Sequence, residues 1–265
     1  MKITLLGKLL AVALTGLLLS AAARADDDLL DQVKHRGTLQ IALEGTFPPF
    51  NYKAPNGKLD GYDVDVAKAV AAKLGVKPEF VTTEWSGIIA GLQAKRYDVI
   101  VNQVAITPER EKALDFSPPY TYSTAQLIQR KNDDRQFKSL DELKGHKLGV
   151  SLGSNYNDMA KSVPGIDVKT YPGAPEYLRD LASGRLDAAL NDRLMLAYLI
   201  KTSNLPLRTG ANVGTDEDQM GIPFRKGNPK FAKAIADAID QLKQDGTLTK
   251  ISEKWFGIDV SKPIK

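Results

Sequence analysis

The chain has 265 residues, no cysteine, and 36 Lys/Arg against 32 Asp/Glu. Setting aside Lys2, Lys8 and Arg24 leaves 33 cations against 32 anions, so the basic balance belongs to the first 25 residues. No stripe of clustered Lys/Arg remains to track a phosphate backbone, which argues against nucleic acid, and about 240 further residues can bury a real core without disulfides.

Residues 1–25 read as a cleaved secretory signal. Lys2 and Lys8 give a positive start, Leu9 to Ala22 an apolar run, and Ala23-Arg24-Ala25 a small-x-small cleavage site. The run is short for a bilayer span of ~20 residues, and no later segment is apolar enough to cross a membrane. With no cysteine to carry a lipid, the expected product is an unanchored periplasmic protein whose mature chain does not insert in the membrane. His35 and His146 stand alone among Lys, Arg and Gly, so no metal centre or histidine catalysis is expected.

Asp26 to Lys34 reads as a short helix ended near Gly37, and Thr38 to Leu43 as a strand. Residues 44–50, with Pro48-Pro49, form a loop. A helix from Asp63 buries Val66, Ala67, Val70, Ala71 and Leu74 and is closed by Gly75. A strand at Glu79 to Thr82, a helix at Trp85 to Lys95 and a strand at Asp98 to Val101 follow. Thr107 then caps a helix with Pro108 at its first position. Such alternation predicts an α/β fold with a mostly parallel sheet.

Tyr120 to Arg130 leaves this unit as a long extended stretch, and the alternation begins again behind it. Ser139 to Glu142 reads as a capping box opening a short helix. Strands at Lys147 to Val150, Val168 to Tyr171 and Ala188 to Leu190 alternate with helices through Ala160, from Pro175 to Ser183 and from Leu194 to Lys201. Gly221 to Phe224 reads as a returning strand. Asn228-Pro229 caps a long helix with Phe231, Ile235, Ile239 and Leu242 inside, and Leu248 to Phe256 makes a final helix. Two helices cannot form a third domain, so they rejoin the first unit. The division is 1–25 signal, 26–122 first lobe, 123–218 second lobe, and 219–265 first lobe again. The chain thus crosses between lobes twice, which makes a two-segment hinge.

Ligands of open α/β sheets bind beyond the C-terminal strand ends. Glu44, Asn102, Gln103, Ala105, Ser154, Asn155 and Asp192 fall there, drawn from both lobes. Arg110, in the first turn of its helix, suits a carboxylate, as does the helix start at Ser154-Asn155. Asp192 suits an ammonium. Opposite charges held a few ångströms apart complement an α-amino acid zwitterion, and Phe47 and Trp85 suit its side chain. Taken singly, Phe47 and Trp85 also read as core, Ser154 as a helix cap, and Asp192 as a cap for the helix at Leu194.

Gly45-Thr46-Phe47-Pro48-Pro49-Phe50, Gly61-Tyr62-Asp63-Val64-Asp65, Ile106-Thr107-Pro108-Glu109-Arg110, Asp115-Phe116-Ser117, Asp245-Gly246-Thr247 and Lys254-Trp255-Phe256-Gly257 together resemble the periplasmic amino-acid-binding proteins of ABC importers. Leu43 to Thr46, Asn102 to Val104, Leu152 to Tyr156 and Asn191 to Leu194 look most like the L-cystine-binding members. The resemblance implies a two-lobed fold, an amino-acid ligand, a membrane permease as partner, no cofactor and a monomer. By the same resemblance Arg110 binds the α-carboxylate with the backbone amides of Ala105 and Asn155. Asp192 binds the α-ammonium, Phe47 and Trp85 sandwich the side chain, and Glu44 tunes specificity. Ala105 stands where many members have Ser or Thr, so a hydroxyl is missing there. Rival readings are a receptor for cationic or other polar amino acids, an exported small-acid dehydratase, and the sensing module of a membrane receptor. No base paired with a nucleophile is evident for an enzyme.

Overall fold

The computed structural model describes residues 27–202, 204–214 and 217–264, so the signal expected at 1–25 lies outside the described residues. The chain begins with α1 (Leu29–Arg36), β1 (Thr38–Leu43), β2 (Thr46–Phe47), β3 (Asn51–Lys53), β4 (Leu59–Asp60), α2 (Tyr62–Lys73) and β5 (Lys77–Thr82). Next come α3 (Trp85–Gln93), β6 (Val99–Ile100), β7 (Val104–Ala105), α4 (Pro108–Glu111), β8 (Leu114–Phe116), β9 (Thr121–Ser123) and β10 (Ala125–Arg130). The middle of the chain holds β11 (Lys147–Ser151), α5 (Asn155–Lys161), β12 (Asp167–Tyr171), α6 (Ala174–Ala182), β13 (Ala188–Asp192), α7 (Arg193–Thr202) and β14 (Leu207–Asn212). Last are β15 (Asp218–Gly221), β16 (Pro223–Arg225), α8 (Pro229–Gln244) and α9 (Thr247–Phe256).

Two five-stranded sheets carry the fold, ordered β5-β1-β6-β16-β8 and β12-β11-β13-β10-β14. In the first, β1 pairs in parallel with β5 and β6, while β16 is antiparallel to both β6 and β8. The second repeats this plan: β11 is parallel to β12 and β13, and β10 is antiparallel to β13 and β14. Four of the five strands in each sheet therefore run one way, and the single reversed strand is the one entering from the other half. The crossings themselves, β9 and β15, are hydrogen-bonded neighbours in a third sheet with β7, with Ser123 opposite Asp218.

Helix faces pack as the periodicity predicts. Val66, Ala67, Val70, Ala71 and Leu74 of the α2 region are buried, as are Phe231, Ile235, Ile239 and Leu242 of α8. Gly61 precedes α2 with φ +133°, and a Cβ there would sit 2.3 Å from the Phe50 carbonyl oxygen, so only glycine lets the two loops meet.

Four local expectations need correction. Ser139 caps nothing: the segment is a 3₁₀ turn at Asp141–Leu143, and Glu142 instead accepts from the Lys138 N–H at 2.7 Å. The returning strand is split, β15 serving the crossing and β16 the first sheet, with Ile222 between them. β14 is an additional strand that the polar residues of 207–212 conceal. Finally, the Asn228 side chain does not cap α8; it accepts from Leu29 N–H at 2.7 Å. Asp28 does that work, accepting from Leu30 N–H of α1 and from Lys230 and Phe231 N–H of α8. One carboxylate thus ties both helix starts together.

Candidate functional site

The ends of β1, β6, β11 and β13 face one another between the two sheets, as strand-end chemistry demands. They border a space of about 410 Å³, part of it open to solvent, lined by Glu44, Phe47, Trp85, Asn102, Gln103, Ser151, Ser154, Asn155, Tyr156, Ala174, Asn191 and Asp192. Eight of the ten expected residues are therefore on one wall or another. The other two, Ala105 and Arg110, sit just behind the lining, with the Arg110 Cζ 5.6 Å from the centre of the Trp85 ring. Phe47 and Trp85 are buried, as the core reading expects, and also contribute to the wall.

Thr107 accepts from Arg110 N–H at 3.3 Å, the cap the sequence implies, although α4 runs only four residues. The guanidinium donates to the Ala105 carbonyl at 2.8 Å and, across the gap, to the Gly153 carbonyl at 3.2 Å. Among the described residues it makes no salt bridge with a carboxylate. Burial drives its pKa down, against the pull of Asp158, Tyr156 and Asp218, so its charge is under-compensated. Asp192 is its counterpart. It accepts from Ser123 Oγ at 2.9 Å and Leu194 N–H at 2.7 Å, and so caps α7 while lining the cavity. Burial pushes its carboxyl up to about 6, with Ser123 and the Leu194 N–H opposing. A ligand ammonium would reverse that shift.

Asn102 and Gln103 build the floor rather than pointing only inward. Asn102 donates to Glu44 Oε2 at 2.9 Å and accepts from Glu44 N–H and from Asn51 Nδ2. Gln103 holds φ +50°, a conformation side-chain-bearing residues rarely take, and donates to the buried Asp63 at 2.6 Å. Asp63 also accepts from Asn51 and Tyr120. This network fixes Glu44, whose carboxyl burial pushes up to about 7, the Asn102 bond opposing and Asp63 and Glu176 adding to the rise. An acid raised from 4.5 to about 7 on folding favours the fold fully below pH 4.5, and that contribution is lost as pH rises through 7. Thermal midpoints of the ligand-free protein measured from pH 5 to 8 should therefore fall less steeply for Glu44→Gln than for wild type. Identical slopes would remove Glu44 as a titrating group in that window.

Ser154 is the N-cap of α5, accepting from Asn157 N–H at 3.1 Å and donating to the Ser151 carbonyl. Ser154→Ala should cost about 1 kcal/mol in a urea melt, the usual value of such a cap, and no loss would deny the capping role. Asn155 donates from its side chain to Asp218 at 3.2 Å, a bond between α5 and the crossing strand β15. Ser151, Tyr156, Ala174 and Asn191 join the lining unpredicted; the strand-end rule reaches Ser151 and Asn191, and Ala174 starts the helix after β12. Asp218 had no sequence signal. Its position opposite Ser123 appears only once β9 and β15 pair. Among the described residues no group of three or more His, Asp or Glu is arranged to hold a metal ion, and no helix is long and apolar enough to cross a membrane.

Residues 39–258 match the model of the bacterial extracellular solute-binding proteins, family 3. The chain belongs to that family. Across 99% of its own length and 100% of the relative's, this family 3 protein is 44% identical to the L-cystine-binding protein TcyJ of Escherichia coli (strain K12). An ancestral arginine-binding protein bound to arginine superposes with a TM-score of 0.79 at 42% identity, over 84% of this chain and 99% of that one. The ancestral amino acid-binding protein AncCDT-1, a precursor of cyclohexadienyl dehydratase, gives a TM-score of 0.79 at 36% identity, covering 86% and 99%. The two-lobed α/β architecture expected of a family 3 solute-binding protein is what the sheets form.

Proposed function

We propose that this family 3 protein is the periplasmic receptor of an amino-acid ABC importer, with L-cystine as its ligand. In this reading residues 1–25 are a cleaved signal, 26–122 and 219–265 one lobe, and 123–218 the other. The protein is a monomer that catalyses nothing and presents its closed form to a membrane permease. The observation that carries the proposal is a half-buried guanidinium, Arg110, beside a cavity lined by a buried carboxylate, Asp192, neither forming a salt bridge among the described residues. One zwitterion satisfies both. Closure is stabilised only by contacts the ligand makes preferentially in that form, and Gly153 to Asn155 together with Asp192 supply them from the second lobe.

L-Cystine is preferred because Glu44 gives the cavity wall a second carboxylate, suited to a second ammonium, and because the 44% identity to an L-cystine-binding protein spans 99% of the chain. Competition calorimetry against L-arginine, L-lysine and L-glutamine should rank L-cystine tightest. L-Arginine ranking first would favour the cationic-ligand reading, for which Glu44 and the arginine-bound neighbour are the supporting observations. Release of a product from any bound acid would overturn the non-enzymatic reading. Mass spectrometry of the small molecule that co-purifies tests the ligand class directly.

A further inference from the structure

A second and larger space opens on the other side of Glu44. It amounts to about 890 Å³, part of it open to solvent, and is lined by Glu44, Thr46, Thr82, Thr83 and Glu84 from the first sheet's loops and by Pro172, Gly173, Pro175, Glu176 and Arg179 around α6. Glu44 belongs to the walls of both spaces and so stands as the partition between them.

Two carboxylates from opposite halves converge at Gly173, where α6 begins without a side-chain cap. A Cβ at Gly173 would lie 3.1 Å from Glu44 Oε1 and 3.6 Å from Glu176 Oε2, so both carboxylates reach the same backbone position. One turn further along α6, Arg179 donates to Glu176 Oε1 at 3.4 Å, an exposed pair with room to exchange partners. Glu176 also contributes to the raised pKa of Glu44, as expected for like charges facing one another without a cation between them. Along this edge the charges run anion, anion, cation. That is the complement of a second zwitterion, with an ammonium between the acids and a carboxylate on the guanidinium.

We propose that this outer chamber is a second recognition subsite that takes the far head of a two-headed amino acid, its ammonium between Glu44 and Glu176 and its carboxylate on Arg179. The proposal rests on the amino-acid reading of the inner cavity and adds the residues beyond Glu44, namely Glu176 and Arg179, that take the second head of a bis-amino acid. A single-headed amino acid fills the inner cavity and leaves the outer one to water. Thr46, Thr82 and Thr83 line the same chamber, and a threonine hydroxyl is a neutral partner for the second head.

Calorimetry with L-cystine and with S-methyl-L-cysteine, which keeps the sulfur but has one zwitterion, separates the two chambers. Arg179→Gln should weaken L-cystine about tenfold, the upper end for a partly exposed charge-assisted contact, and S-methyl-L-cysteine less than about twofold. Glu176→Gln should shift L-cystine in the same direction by a smaller factor, since Glu44 remains. Both positions are on the solvent side of α6, so either variant keeps the fold. Unchanged L-cystine affinity in both variants, or equal losses for the two ligands, would overturn the subsite while leaving the inner site standing. Binding of neither ligand to the wild type would overturn the amino-acid reading as well.

Discussion

Replacing Arg110 by alanine should lower affinity for the amino-acid ligand by about 2–4 kcal/mol, roughly thirty- to a thousandfold in Kd. The guanidinium is held by the Ala105 and Gly153 carbonyls, which orient it without neutralising it. A carboxylate arriving there gains a charge-assisted fork from a guanidinium that is already oriented. Because one of the two anchors comes from the far side of the gap, the loss should appear in closure too. The ligand-induced change in Trp85 fluorescence should shrink along with affinity, since Arg110 lies against that ring. Calorimetry giving wild-type affinity for every amino acid would discard the role of Arg110.

Asp192→Asn is the second large effect, expected to cost about 2–3 kcal/mol of binding while leaving the fold intact. The amide oxygen still accepts from Leu194 N–H and Ser123 Oγ, so the cap of α7 survives and only the charge is lost. The pH dependence tests the same point. Ligand-free Asp192 titrates near 6, and an ammonium beside it lowers that value, so binding expels a proton below pH 6. Affinity should therefore climb from pH 5 to 7 and level off above. In the variant this part of the climb should vanish, leaving only what Glu44 and Asp218 contribute. A variant that keeps the whole climb would assign it to those two acids instead.

Much of the site is legible from one dimension because strand ends and helix starts have strong local signatures. Thr107-Pro108 announces where Arg110 must sit, and Leu152 to Asn155 announces α5; neither depends on distant partners. The contested residues resolve as dual rather than alternative: Asp192 caps α7 and lines the cavity, and Ser154 does the same for α5. What the chain order conceals is long-range. Asp218 acquires meaning only when two crossings more than 90 residues apart become neighbours. The Glu44–Asn102–Asn51–Asp63 network joins two loops, a strand and a helix that no local pattern associates. Ser139 to Glu142 has the letters of a capping box, yet the chain there is spent on a single 3₁₀ turn, because Glu142 binds one residue too early.

Asp28 grips the first turn of α1 and the first turn of α8, groups some 200 positions apart. During synthesis the ribosome must deliver the whole second half before that grip can form. The opening segment thus waits, unfinished, until Phe231 emerges, and the half of the molecule made first is the half completed last.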